Sequence, residues 1–204
     1  MMTSIANLTK QYINGIYQTK ALVIKENPFT LQSGKRSHVY LNHRHFLTDS
    51  YYLSLIAQLY CELIQHKTND YCLGVVDSIM SPIIVGAMSA LFKNDYVVIQ
   101  KKAMTHGTQE ALFGTFKKPV VLIDDMTSTG ATLIDAGLKI RAQGGIVNFA
   151  VISAYRETST LEHLQKHHIT PLAIASFTEI INGLLNSLTA KEKMIVQKYP
   201  LIMD

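Results

Sequence analysis

A chain of 204 residues, 48% hydrophobic and 17% charged, has the make-up of a globular protein with one substantial core, which excludes disordered and fibrous classes. Its formal charge of +4 suits a phosphate-rich ligand but falls far short of a nucleic-acid-binding signature. Two cysteines, Cys61 and Cys72, are too few for a disulfide framework or a four-cysteine zinc site, and read as buried thiols of a reducing compartment, the cytoplasm.

The opening stretch MMTSIANLTKQYINGIYQTK lacks a charged segment followed by a long apolar core, so it reads as a helix rather than a signal peptide. In FTLQSGKRSHVYLNHR, an SGKR turn separates two β-like runs, and residues 1–45 are expected to form a small antiparallel hood or edge. The stretch HVYLNHRH clusters His38, His43 and His45; strand alternation puts His43 and His45 on one face of a polar edge strand, with too few further ligands for zinc. Tyr51 to Gln65 carries an apolar helical stripe suited to core or dimer packing.

From Leu73 to Phe92 the chain is about as long and apolar as a membrane span, yet Asp77, Pro82 and several serines interrupt it. A buried strand, a loop and a buried helix explain it better. The runs Cys72–Val76, Tyr96–Gln100, Val120–Asp124 and Ile146–Ala154 are near-continuous apolar stretches, as in parallel strands covered on both faces. Between them, 82–92 opens with a proline suited to a first helical turn, and 130–143 closes on Gly144-Gly145, a helix stop. Pro171–Ala175 reads as one more strand, and LTAKEKMIVQKY as a capped surface helix. The alternation predicts an α/β fold with a parallel sheet of about five strands. Lys101 to Lys118 is a long charged insertion between two of them, the kind of loop that is usually functional.

The stretch VVLIDDMTSTGAT carries the chemistry. Ligands of an open parallel sheet sit beyond the carboxyl ends of its strands, where Asp124 and Asp125 are expected. The strand-to-helix turn that follows can cradle a phosphate with its backbone N–H groups and the helix dipole. Thr127, Ser128, Thr129 and Thr132 add hydroxyls, and Gly130 allows close approach. The carboxylates suit ribose hydroxyls or a hydrated Mg²⁺. A helix cap followed by an ordinary turn would use the same residue types. No lysine follows the glycine as in a Walker loop, and the spaced glycines of a dinucleotide site are missing.

The same stretch resembles the phosphoribosyl-diphosphate motif of type I phosphoribosyltransferases. Three further stretches resemble the orotate branch of that family: FTLQSGKRSHVYLN, matching its N-terminal signature; QKKAMTHG, matching its mobile loop; and SAYRE, which offers Arg156 beside the orotate. The resemblance implies a type I phosphoribosyltransferase-like parallel sheet flanked by helices, a single domain over 1–204 with a hood at 1–45 and a mobile loop at 101–118. It implies Mg²⁺-dependent transfer of phosphoribosyl from its diphosphate to orotate. Asp124 and Asp125 would serve ribose and the metal's water shell, Thr127, Ser128, Thr129, Gly130, Ala131 and Thr132 the 5′-phosphate, with Met126 among the residues that bind the sugar diphosphate, and Ser128 and Arg156 the orotate. Lys101, Lys102 and His106 would act on the diphosphate, and Arg44 would face the substrate pocket. A homodimer with shared sites is implied, and neither nucleic acid nor membrane is an expected partner.

Some positions depart from the pattern. Gln100 stands where the family's loop has arginine, Met104 and Ile79 where it has lysines, and Gln32 where some members have an orotate-contacting lysine. These changes remove positive charge mainly from the leaving-group side. Two lost contacts of about 1.5–3 kcal/mol each would slow turnover by orders of magnitude. Transfer to another base, or a weakly active regulatory binder of the sugar diphosphate, are the alternatives.

Overall fold

The computed structural model describes residues 4–31, 34–101 and 111–201. Helix α1 (Ile5–Gln18) starts at Ser4, whose side chain accepts the Asn7 N–H, and buries Leu8, Tyr12, Gly15 and Ile16, one helical face. Strands β1 (Leu22–Thr30) and β2 (Arg36–Leu41) form the expected antiparallel hood, with Leu22 opposite Leu41 and Thr30 opposite Arg36. A register shift between Ile24 and Phe29 bends it.

One sequence expectation fails directly after the hood. His43 and His45 lie on a short helix, α2 (His43–Leu47), not on a strand. Helical spacing buries His43 with Phe46 and Leu47 and turns His45 to solvent, so the two histidines do not share a face. Among the described residues no group of three potential metal-binding side chains exists.

Helix α3 (Ser50–Gln65) follows, capped by Asp49, and then β3 (Cys72–Val76), α4 (Met80–Phe92) and β4 (Tyr96–Ile99). The insertion after β4 contains a two-residue strand, β5 (Leu112–Phe113), antiparallel to β4. The chain continues through β6 (Val120–Ile123), β7 (Met126–Thr127), α5 (Ala131–Ala142), β8 (Val147–Tyr155), α6 (Thr158–Lys166) and β9 (Thr170–Ser176). It closes with α7 (Phe177–Leu184) and α8 (Ala190–Lys198), each opened by a capping box. No described helix is long and apolar enough to cross a membrane, the 73–92 run included.

The sheet order β5-β4-β3-β6-β8 continues to β9, and all pairings in it are parallel except β4 with β5. This is the expected α/β architecture with its five-stranded parallel core. Along β6, Val121 and Ile123 face the layer of α1, α3, α4 and α7, while Val120 and Leu122 face that of α5 and α6. Both faces are covered, so the strand has no polar side, and its sequence is a continuous apolar run. Cys61 and Cys72 are buried free thiols, pushed by burial up to about 12 and about 11.

Candidate functional site

From β3 the chain moves outward to β4, then returns to the other side of β3 to form β6. The crevice between β3 and β6 is thus the point where strand order reverses, the usual binding place of open parallel sheets. Asp124 and Asp125 end β6 at that crevice. They interrupt a longer strand: β6 and β7 use the same edge of β8, and the acidic pair lies between them. Its backbone stays in the ladder, with Asp124 N–H bonded to Val151 O and Ser153 N–H to Asp125 O, both at 3.0 Å.

The two carboxylates are held close. Ser81, from the first turn of α4 after β3, donates its hydroxyl to Asp124 Oδ1 at 2.8 Å and approaches Asp125 Oδ1 at 3.4 Å. Burial, then the negative charge of Asp125, pushes the Asp124 carboxyl up to about 7. A second set of side chains holds the pair from below. Tyr60 of α3 donates to Asp124 O at 2.7 Å, and Ser153 of β8 donates to Asp125 O. His43 reaches Ser153 Oγ at 3.2 Å through Nδ1 and Tyr12 Oη at 2.8 Å through Nε2. Burial lowers His43 to about 4, so its ring is neutral. The donor order that satisfies every group runs from Tyr12 to His43 Nε2, from His43 Nδ1–H to Ser153, and from Ser153 to Asp125 O.

The loop after the pair turns sharply into α5. Gly130 has φ +76, a left-handed conformation, and a Cβ there would lie 3.0 Å from Leu164. The Gly130 N–H bonds Thr127 Oγ1 at 2.9 Å. From α6, Thr160 donates to Ser128 O at 2.6 Å and His163 Nδ1 meets Thr129 O at 2.8 Å, bracing the loop from outside. The opening N–H groups of α5 and their dipole point into this turn, an arrangement that suits an anion.

Asp124, Asp125, Met126, Thr127, Ser128, Thr129, Thr132, Lys101 and Arg156 all line one cleft of about 830 Å³. Gly130 and Ala131 shape the turn beside its wall. Arg44, His43, Lys35, Tyr40, Thr160 and His163 line it too; of these only Arg44 was singled out from sequence for the pocket. Lys35 of the hood bridges Glu157 at 3.4 Å across the cleft mouth. Ile79 is 66% exposed in the wall, and Gln100 is buried away from it. Lys102, His106, Met104 and Gln32 lie outside the described residues.

Arg156 follows β8 directly, under the hood. It donates from Nη1 to Ser37 Oγ at 3.2 Å and from Nη2 to Val39 O at 2.9 Å, and its guanidinium lies 3.9 Å over the Phe177 ring. Burial lowers it to about 10, which leaves it charged at neutral pH. Among the described residues no carboxylate lies within ion-pair distance of it; Glu157 acts on it only from farther off, so a largely buried cation faces the cleft without a direct ion-pair partner.

No family model matches the chain. An orotate phosphoribosyltransferase from Picrophilus torridus is 31% identical over 160 residues, covering 77% of this chain and 93% of that protein. The chain belongs to the orotate phosphoribosyltransferase family. Another member, from Methanocaldococcus jannaschii, is 28% identical over 159 residues, 77% of this chain and 89% of that one. In three dimensions the chain is similar to the UMP synthase of Leishmania donovani, with a TM-score of 0.79 at 23% identity over 93% of this chain. It spans 41% of that longer protein, and the likeness is one of fold. Family membership makes the chain an enzyme of phosphoribosyl transfer, as the motifs implied.

Proposed function

We propose that the chain transfers phosphoribosyl from 5-phosphoribosyl 1-diphosphate to orotate, releasing orotidine 5′-monophosphate and diphosphate, with Mg²⁺, in the cytoplasm. The observation that carries this reading is the one cleft that joins an acidic pair, a turn at a helix start suited to an anion and a largely buried arginine with no direct ion-pair partner. Sugar phosphate and the carboxylate of orotate match the two positive ends, and the ribose matches the carboxylates between them.

The donor set fits Mg²⁺, which commonly takes one or two carboxylates and completes its shell with water and substrate phosphates. Asp124 and Asp125 would hold it, and bound there it would neutralise charge on the departing diphosphate. The 5′-phosphate sits on the Thr127–Thr132 turn, and the two carboxylates stabilise the cationic character that develops at the ribose ring. Lys101, Lys102 and His106 attend the leaving group. Arg156, with Ser128, orients orotate so that N1 faces the anomeric carbon. Ile79, exposed where a cation would face diphosphate, supports slow turnover as the second reading.

Residues 1–204 are read as one domain acting in a homodimer. The outer face of α4 carries Ile79, Pro82, Ile83, Gly86, Ala90 and Leu91 at helical spacing, with Ile83 and Leu91 40% and 54% exposed. Such an apolar face beside the site suits a symmetric partner.

The test is acceptor choice. Wild-type protein given the sugar diphosphate and Mg²⁺ is expected to use orotate and ignore uracil, which lacks the carboxylate. Arg156→Gln should raise the KM for orotate by about tenfold or more, from loss of a charged hydrogen bond of about 1.5–3 kcal/mol. Uracil used as well as orotate would overturn the reading.

A further inference from the structure

Ser37 belongs to the N-terminal signature stretch, and its place in the fold gives it work. It has no solvent exposure, yet its hydroxyl meets four groups. It accepts the Val39 N–H at 3.1 Å and Arg156 Nη1 at 3.2 Å. Its one proton faces two carbonyls, Val39 O at 2.8 Å and Leu201 O at 2.6 Å. A hydroxyl has a single proton, so only one carbonyl receives it. Val39 O is already met by Arg156 Nη2 at 2.9 Å. Every group is satisfied when Ser37 donates to Leu201 and Arg156 forks onto Ser37 Oγ and Val39 O. Without Leu201, the Ser37 proton turns to Val39 O, which it then shares with the guanidinium, and the hydroxyl lone pairs are re-aimed relative to Nη1.

The segment from Tyr199 to Leu201 is fastened at this spot by independent contacts. Tyr199 stacks on His38 at 3.9 Å between ring centres and 16° between planes. His38 is itself tied to the hood, Nδ1 to Lys25 O at 2.9 Å. Lys191 of α8 pairs with Glu26 of β1 at 3.7 Å. The turn from Tyr199 to Leu201 therefore straps the hood, and its last described carbonyl lands on the hydroxyl that holds Arg156.

We infer that Ser37 and the Tyr199–Leu201 turn are positioning elements of the base pocket: Leu201 O fixes the Ser37 proton, and Ser37 fixes the donor fork of Arg156. Phe177 holds one face of the guanidinium and the fork holds one edge, which presets the remaining N–H groups for a planar carboxylate. The identity of that carboxylate as orotate rests on the function proposed above.

Two variants test this, Ser37→Ala and a chain ended after Pro200. In ligand-free protein, ¹⁵N NMR of the Arg156 side chain, assigned with Arg156→Lys, reads rotation of the guanidinium without any turnover. Distinct Nη signals in the wild type that merge in both variants support the strap. Unchanged signals overturn it, even if the wild type proves inactive toward orotate, which would sink only the function proposed above. In the assay, both variants should raise the KM for orotate by about tenfold, or about 1.4 kcal/mol, and leave the KM for the sugar diphosphate in place. The double variant should be no worse than the more affected single, since both act through one contact. Equal rises in both KM values, or fully additive effects, would mean a merely structural role and overturn the inference.

Discussion

Replacing Asp124 with Asn should make the ligand-free protein more stable while abolishing transfer. The Asp124 carboxyl rises from 3.8 to about 7 because burial and Asp125 both oppose its charge. A folded-state pKa raised in this way means the folded protein binds the proton more tightly than the unfolded chain. Stability from this group is therefore greatest below about pH 4 and is lost as pH rises toward 7. At about 1.4 kcal/mol per unit, the charged carboxyl costs the ligand-free fold a few kcal/mol at neutral pH. Asn keeps the shape and still accepts from Ser81, but its amide group faces Asp125 imperfectly, so a net gain of about 1–3 kcal/mol is expected. For a chain of this size each kcal/mol moves Tm by roughly 2–4 °C. Thermal unfolding of both proteins should show the variant about 2–12 °C higher at pH 8, with the two curves converging toward pH 4. The same variant should lose transfer by orders of magnitude. A variant less stable at pH 8, or a difference that does not change with pH, would refute the repulsion on which the site description rests.

Tyr12→Phe should destabilise the fold by about 1–3 kcal/mol, because it strands the buried His43 Nε2 without its donor; urea unfolding measures this. Gly74→Ala should destabilise by a similar amount, about 1–3 kcal/mol, since a Cβ there would lie 2.5 Å from Val120 Cγ1 in the central sheet. Shared sites are tested by mixing two inactive proteins, one with Asp124→Asn and Asp125→Asn, the other with Lys101, Lys102 and His106 changed to Ala. Random exchange gives about half heterodimers with one intact site each, so roughly a quarter of wild-type activity should return if the loop serves the neighbouring subunit; no return means that it serves its own.

The core strands were legible because each is covered on both faces, which removes polar alternation and leaves β-branched runs such as Val120–Ile123. The acidic pair and its turn were legible because strand end, anion turn and helix start occupy one continuous stretch. The supports of that pair were not legible. Tyr12, His43, Tyr60 and Ser153 come from α1, α2, α3 and β8, and nothing in their local sequence says that they meet; only burial around Asp125 brings them together. Ser37 and Leu201 meet across 164 residues, beyond any pattern of spacing. His43 and His45 misled because a two-residue repeat reads as a strand, while Phe46 and Leu47, three and four residues on, pull the segment into a helix. Strands β5 and β7, two residues each, exist through tertiary pairing rather than propensity.

The most direct measurement follows orotate and diphosphate together. With the sugar diphosphate and Mg²⁺ present, wild-type protein should consume orotate and release diphosphate in equal amounts, and the Asp124→Asn, Asp125→Asn protein should do neither while remaining folded. Sugar diphosphate bound with no orotate consumed, or orotate consumed as fast by the folded double variant, would contradict the assignment of this cleft.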